Sequence, residues 1–190
     1  MSLGTSRMSI RSHQPAEKRG LAIAVTAMVL LIAASNVLVQ HPLNDWLTWG
    51  ALTYPICFLV TDLTNRAYGA AMARRVVYAG FAAGVLLSVF LATPRIAAAS
   101  GTAFLMAQLL DVAVFDRLRR AVWWQAPLAS SLLASAVDTA LFFGLAFAFT
   151  PVPWVTLAVG DYGVKALLAL LMLIPFRVAL PLVGAAAQKG

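Results

Sequence analysis

Charge is scarce in this sequence. Only 11% of its 190 residues are Asp, Glu, Lys or Arg and 62% are apolar, where a soluble domain averages about 25% and about 45–50%. With a mean hydropathy of +0.86, that balance excludes both a soluble globular domain and a disordered chain and calls for lipid as the solvent. Cysteine occurs once, at Cys57 inside an apolar run, so no internal disulfide forms and the redox compartment stays open. Histidine occurs twice, at His13 and His41, both outside the apolar runs. Haem and intramembrane metalloprotease chemistry are excluded on that ground, and no Cys/His spacing announces a metal. There is no Gly-rich phosphate loop and no nucleophile elbow. No cofactor, metal or catalytic constellation is therefore expected, and the chain does not read as an enzyme.

What is present is a series of apolar runs: Leu21 to Val39, Leu47 to Leu63, Val76 to Thr93, Ala97 to Phe115, Pro127 to Phe149 and Trp154 to Leu180. A span takes roughly 20 residues, so six take about 120, and the remaining length suffices only for short loops. The expectation is an all-α, integral membrane six-transmembrane-helix bundle over residues 20–182, after a basic cytoplasmic segment 1–19 and before a short tail 183–190. The first run is longer than a signal-peptide core and is read as a retained helix. Pro94 stops the third run, Thr150-Pro151-Val152-Pro153 closes the fifth, and Pro175 is expected to kink or fray the end of the sixth.

Cations test this partition independently. With the N-terminus inside, Arg7, Arg11, Lys18, Arg19, Arg66, Arg74, Arg75, Arg117, Arg119, Arg120, Arg177 and Lys189 all fall on the inner side, and Arg95 alone falls outside. Such asymmetry puts both termini in the cytoplasm. Fourteen Lys and Arg against seven Asp and Glu give a net charge of +7, yet the scatter over four short segments retires a nucleic-acid partner. Trp46, Trp49, Trp123, Trp124 and Trp154 lie near span boundaries and read as interface anchors against membrane lipid. Gly80 and Gly84 form a G-x-x-x-G that lets another helix approach closely, within the bundle or across a homodimer.

The remaining cation, Lys165, lies within a span, as do or nearly do Asp62, Asp111, Asp138 and Asp161, with Asn36, Asn65 and Gln108. An ionised group at mid-bilayer costs about 2.5–3.5 kcal/mol even on a lenient scale, so such groups face cavities and mark pathways. At roughly 1.5 Å per residue, Asp161 lies about 10 Å below the outer boundary, with Lys165 and Asp138 near the midplane. Gln108 and Asp111 lie deeper and Asp62 at the inner end, completing a polar ladder. Asp161 and Lys165, one turn apart, can pair. Asp138 is protonated, paired with Lys165, or a substrate contact. Asp62, Asn65, Arg66, Arg74 and Arg117 form either a gate or an inner ion-pair network.

Four segments carry a resemblance. Thr61-Asp62-Leu63-Thr64-Asn65-Arg66-Ala67-Tyr68-Gly69 with Ala73-Arg74-Arg75, Gln108-Leu109-Leu110-Asp111-Val112-Ala113-Val114-Phe115, Trp123-Trp124-Gln125-Ala126-Pro127 with Ser130 and Val137-Asp138-Thr139, and Asp161-Tyr162-Gly163-Val164-Lys165 through Pro175 resemble, in order and spacing, the signatures of the queuosine precursor transporter family, also called the vitamin uptake transporter family. Ala107 and Ser135 depart from its common Gly and amide. The resemblance implies uptake of 7-cyano-7-deazaguanine or 7-aminomethyl-7-deazaguanine through a bacterial inner membrane, by a bundle similar to the substrate-binding subunits of energy-coupling factor transporters. Asp138 suits the N–H edge of a guanine-like ligand, and Gln108 or Lys165 its carbonyl. Tyr54, Phe104 and Tyr162 offer stacking faces, and Asp161 and Asp111 complete the expected substrate set. The alternative is a binding subunit that works only with an energy-coupling ATPase module. Such subunits often meet the module through A-x-x-x-A on the first helix, where this chain has only Ala22 and Thr26.

Overall fold

The computed structural model describes residues 8–38, 42–44, 47–91 and 93–189, and the side chains of some of these, Tyr54 among them, lie outside the described set. Six helices follow in chain order among the described residues: α1 (Met8–Leu38), α2 (Trp49–Tyr68), α3 (Ala70–Leu91), α4 (Pro94–Leu118), α5 (Gln125–Phe147) and α6 (Trp154–Lys189). A short antiparallel ribbon, β1 (Pro42–Asn44) with β2 (Leu47–Thr48), joins α1 to α2 and has no counterpart in the apolar pattern. Among the described residues, five helices are long and apolar enough to cross a membrane, in the segments Lys18–Ser35, Ala70–Ser88, Pro94–Leu118, Gln125–Phe147 and Trp154–Leu182.

The helices outrun the apolar stretches that announce them. α2 continues beyond Leu63 to Tyr68, and α3 begins at Ala70 rather than Val76. α6 passes through Pro175 and Pro181 to Lys189, where the sequence leads one to expect fraying. Hydropathy marks the depth of lipid, whereas a helix persists as long as backbone N–H groups find carbonyls, and each proline removes one such bond. The reversal between α2 and α3 needs a single residue. Gly69, at φ +87, is left-handed and donates to the Asn65 carbonyl at 2.9 Å, a closure open to a residue without Cβ.

Burial is inverted relative to a soluble protein. Phe90, Val159, Ile174, Leu86 and Leu182 are exposed, while Thr61, Asp62, Asn65, Gln108, Asp111, Asp138 and Lys165 are buried. Apolar side chains turned outward cost nothing when the surroundings are lipid. An apolar core of Met28, Ile32, Cys57, Ala73, Val77, Phe104 and Val112 ties α1, α2, α3 and α4 together. At the opposite side of the bundle Phe115 meets Phe176 edge-on at 6.1 Å, joining α4 to α6. α2 packs against α1, α3, α4 and α6, with a lighter contact to α5. Its polar residues Thr61, Asp62, Thr64 and Asn65 are covered by protein. The Gly80/Gly84 face of α3 is taken up inside the bundle: a Cβ at Gly80 would run into Met28 and Ile32 of α1.

Candidate functional site

Two polar groups are built into the bundle. The first joins the middle of α5 to the first half of α6. Lys165 reaches Asp138 at 2.8 Å, Asp161 at 2.5 Å and the Thr139 hydroxyl at 3.2 Å. Thr139 in turn donates to Asp161 at 2.7 Å. Lys165 and Asp138 are only 5% and 4% exposed, so the ion pair is shielded from water on both sides. Of the three states open to Asp138, the structure has the pair with Lys165. Helical spacing explains the geometry: 161 and 165 stack one turn apart on α6, and consecutive residues 138 and 139 of α5 straddle them.

The second group lies where α2, α4 and α5 meet. Thr61 contacts the Gln108 amide oxygen at 2.7 Å and its own helix at the Cys57 carbonyl at 2.9 Å. One turn on, Asn65 donates through Nδ2 to the Val112 carbonyl at 3.0 Å. Asp62 accepts from Ser130 of α5 at 3.3 Å, and Asp111 lies against both. Positions 61, 62 and 65 form one face of α2, and 108, 111 and 112 the facing stripe of α4. Asn65 Oδ1 and Gln108 Nε2 have no partner, and the Asp111 oxygens lie against the Ser130 hydroxyl and the Asp62 carboxyl without reaching ordinary hydrogen-bond geometry. Unmatched polar atoms this deep are uncommon, because each forfeits its hydration without a replacement.

Each end of α4 is held by an arginine. At its N-terminal end, Arg95 donates to the last carbonyls of α5, Leu145 at 2.9 Å and Ala148 at 2.7 Å, a capping role. At its C-terminal end, Arg119 donates to the Asn65 and Arg66 carbonyls at 3.1 and 3.3 Å, while Arg66 returns a bond to the Arg119 carbonyl. This network combines guanidinium–carbonyl contacts with the Arg119–Asp116 ion pair at 3.3 Å. Asp62 is bonded to Ser130 and not to an arginine, and Arg74 and Arg117 are exposed. Sequence reasoning missed Thr61, Thr139 and the clamping role of Arg119. The available signal was their position one residue or one turn from an intramembrane acid or amide.

The remaining expected contacts are dispersed. Phe104 is buried in the α1–α4 core, and Tyr162 is among the exposed large side chains of α6. Tyr54 lies on α2 with its side chain outside the described set, and Trp46 lies outside the described residues. Arg177 stacks on the Trp123 ring at 5.0 Å, and Trp124 and Trp49 are exposed at helix ends. Among the described residues, no three His, Cys, Asp or Glu side chains gather to hold a metal.

Long apolar helices around buried acids, amides and a lysine are the pattern of a multi-pass membrane protein, in which intramembrane polar groups of this kind mark functional sites. Residues 48–92 and 86–180 match the family described as "Putative vitamin uptake transporter". The chain is 39% identical to "Queuosine precursor transporter" of Escherichia coli (strain K12), covering 77% of this chain and 80% of that one. It is 34% identical, with the same two coverages, to "Probable queuosine precursor transporter" of Haemophilus influenzae (strain ATCC 51907 / DSM 11121 / KW20 / Rd). To "Probable queuosine precursor transporter" of Bacillus subtilis (strain 168) it is 29% identical over 66% of this chain and 68% of that one. No solved structure matches it significantly. The chain belongs to the queuosine precursor transporter, or vitamin uptake transporter, family, whose named members are transporters and not enzymes.

Proposed function

We propose that this chain imports 7-deazaguanine precursors of queuosine, 7-cyano-7-deazaguanine and 7-aminomethyl-7-deazaguanine, across a bacterial inner membrane. The 39% identity to a curated queuosine precursor transporter over most of both chains carries the reading. Its buried polar faces supply the chemistry: a flat, nitrogen-rich ligand offers N–H donors to carboxylates and a carbonyl to an amide or ammonium. In this reading α2 is the sixth span, its polar side covered by α1, α3, α4 and α6. The twelve inner cations support cytoplasmic termini. The test is expression in a bacterium that neither makes nor imports these precursors, with queuosine in its tRNA measured by mass spectrometry. Appearance of queuosine on feeding either precursor is expected; none, at normal membrane levels of the protein, overturns the assignment.

One observation favours a second reading, dependence on an ATPase module. Ala22, Ile23, Thr26, Ala27 and Leu30 form a shallow, open apolar surface on one side of α1. That is the place on the first helix where small residues would let a coupling partner lie close. Uptake by purified protein in liposomes without ATP separates the two readings: accumulation supports a stand-alone carrier, and accumulation only with a module and ATP supports the second.

A further inference from the structure

The α5–α6 charge group has little bonding capacity to spare. A lysine ammonium has three protons, and Lys165 spends them on Asp138, Asp161 and Thr139. A ligand contacting Asp138 would first have to displace an ammonium 2.8 Å away. The α2–α4–α5 face differs in kind. Gln108, Asn65 and Asp111 are all fully buried, at 0% exposure. They retain one unmatched donor group, Gln108 Nε2, and three acceptor atoms without an ordinary hydrogen bond, Asn65 Oδ1 and the two oxygens of Asp111, which lie against the Ser130 hydroxyl and the Asp62 carboxyl.

That inventory has a definite complement. Gln108 and Asp111 stand three residues apart on one face of α4, with Asn65 opposite on α2 and fixed there by its bond to the Val112 carbonyl. Three acceptors and a donor match a planar edge that offers three N–H protons beside one carbonyl. The guanine-type edge has that arrangement: the ring N–H and one amino proton are adjacent, the second amino proton lies beyond them, and the carbonyl is on the other side. An adenine-type edge has no ring N–H and no carbonyl, and leaves part of the carboxylate unmatched.

We infer that the α2–α4–α5 face, rather than the Asp138–Lys165 pair, holds the guanine-like edge of the substrate. Asp111 accepts from the ring N–H and one amino proton as a bidentate carboxylate. Asn65 Oδ1 accepts the second amino proton, and Gln108 Nε2 donates to the carbonyl. The inference rests on the 7-deazaguanine reading above and adds which residues recognise that edge. Asp62, held by Ser130 beside Asp111, lies next to the site as a positioning residue. Arg119 donates to the carbonyls of Asn65 itself and of Arg66, tying the end of α2 that carries this face to the end of α4.

The test measures binding of 7-cyano-7-deazaguanine and of its analogue lacking the 2-amino group to purified protein in lipid nanodiscs. Wild-type protein is expected to prefer the first by at least about 100-fold, because the analogue strands buried acceptors. Asp111→Asn should collapse that preference to within about tenfold while melting near the wild-type temperature. Gln108→Leu should weaken both ligands alike and leave their ratio standing, since both keep the carbonyl. Should Asp111→Asn fail to fold, Asn65→Leu serves in its place and should lower the ratio through the lost second amino contact. An unchanged ratio in folded Asp111→Asn and Asn65→Leu overturns the site assignment and leaves the transport reading intact, as does a collapse produced by Asp138→Asn alone. Equal wild-type affinity for both ligands also overturns it, the unmatched atoms then being met by water only. Failure of wild-type protein to bind either ligand removes the 7-deazaguanine reading itself.

Discussion

The α5–α6 charge group and the α2–α4–α5 polar face are both buried within one bundle and are completed to different degrees. Around Lys165 every strong donor has an acceptor: two carboxylates and a hydroxyl surround one ammonium. Around Asp111 a carboxylate, an amide NH2 and an amide carbonyl are left over. A full charge cannot be stranded in a low-dielectric interior without heavy cost: α5 and α6 neutralise theirs within the fold, and Asp62 and Asp111 lie against one another, where a proton held by one acid lets the other accept hydrogen bonds as a carboxylate. The difference teaches that the first group is complete in itself and binds α6 to α5, while the second has bonding capacity left over, which is what the proposed ligand site draws on.

The comparison can be broken most forcefully at Lys165. Lys165→Met strands two acids against one another, and losing one partner of a buried pair costs about 3–5 kcal/mol. Cys57 is the free, buried cysteine among the described residues, so a thiol-reactive dye reports unfolding directly. The expected result is a markedly lower melting temperature and little folded protein, and a melting temperature equal to wild type would show that the α5–α6 group is not structural. A smaller loss, about 1–3 kcal/mol from overpacking, is expected for Gly80→Leu, whose side chain has to displace Met28 and Ile32 at the α1–α3 crossing. This control acts at the α1–α3 crossing and touches none of the residues of either polar group, so it should lower the melting temperature without changing ligand preference.

Arg119→Ala sharpens the inner half of the comparison. It removes donors to the Asn65 and Arg66 carbonyls and the ion pair with Asp116 at 3.3 Å, all partly solvated, so about 1 kcal/mol is at stake. Hydrogen exchange should accelerate around Gly69 and the last turn of α2 while α5 and α6 keep their protection. Uniform acceleration along the chain would mean that the clamp supports the whole bundle rather than one end of it.

How far all this was legible in the sequence depends on what each signal measures. Apolar runs located the helices because lipid demands them, but not where they stop, since α6 continues through Pro175 and Pro181 at the loss of two backbone bonds. The β1–β2 ribbon left no periodic trace in so short a segment. Asp62, Asp111, Asp138, Asp161, Gln108, Asn65 and Lys165 stood out because ionic and amide groups are expensive in apolar surroundings. Thr61, Ser130 and Thr139 did not, because a hydroxyl can bond to its own helix and is tolerated anywhere in a span, as Thr61 does with Cys57. The pairing of Asp161 with Lys165 follows from one helical turn. The choice of Lys165 for Asp138, and of Arg119 over Arg117 at the inner end, depends on how neighbouring helices are rotated, which no single-helix pattern encodes.

The smallest expected stability effect is the most discriminating. Gln108→Met replaces a buried amide by an apolar side chain of similar length, eliminating the unmatched Nε2 together with the contact to Thr61. The Thr61 hydroxyl has one proton and a second acceptor already in place, the Cys57 carbonyl at 2.9 Å, so the change creates no new orphan. The loss of one bond and the relief of one unsatisfied donor should nearly cancel, leaving the melting temperature within the equivalent of about 1 kcal/mol of wild type in either direction. Uptake of 7-cyano-7-deazaguanine should nevertheless fall steeply, the pattern of a site that trades stability for function. If Gln108→Met instead destabilised the protein as much as Lys165→Met, the inner face would be as complete a structural network as the outer one, and the distinction between the two regions would dissolve.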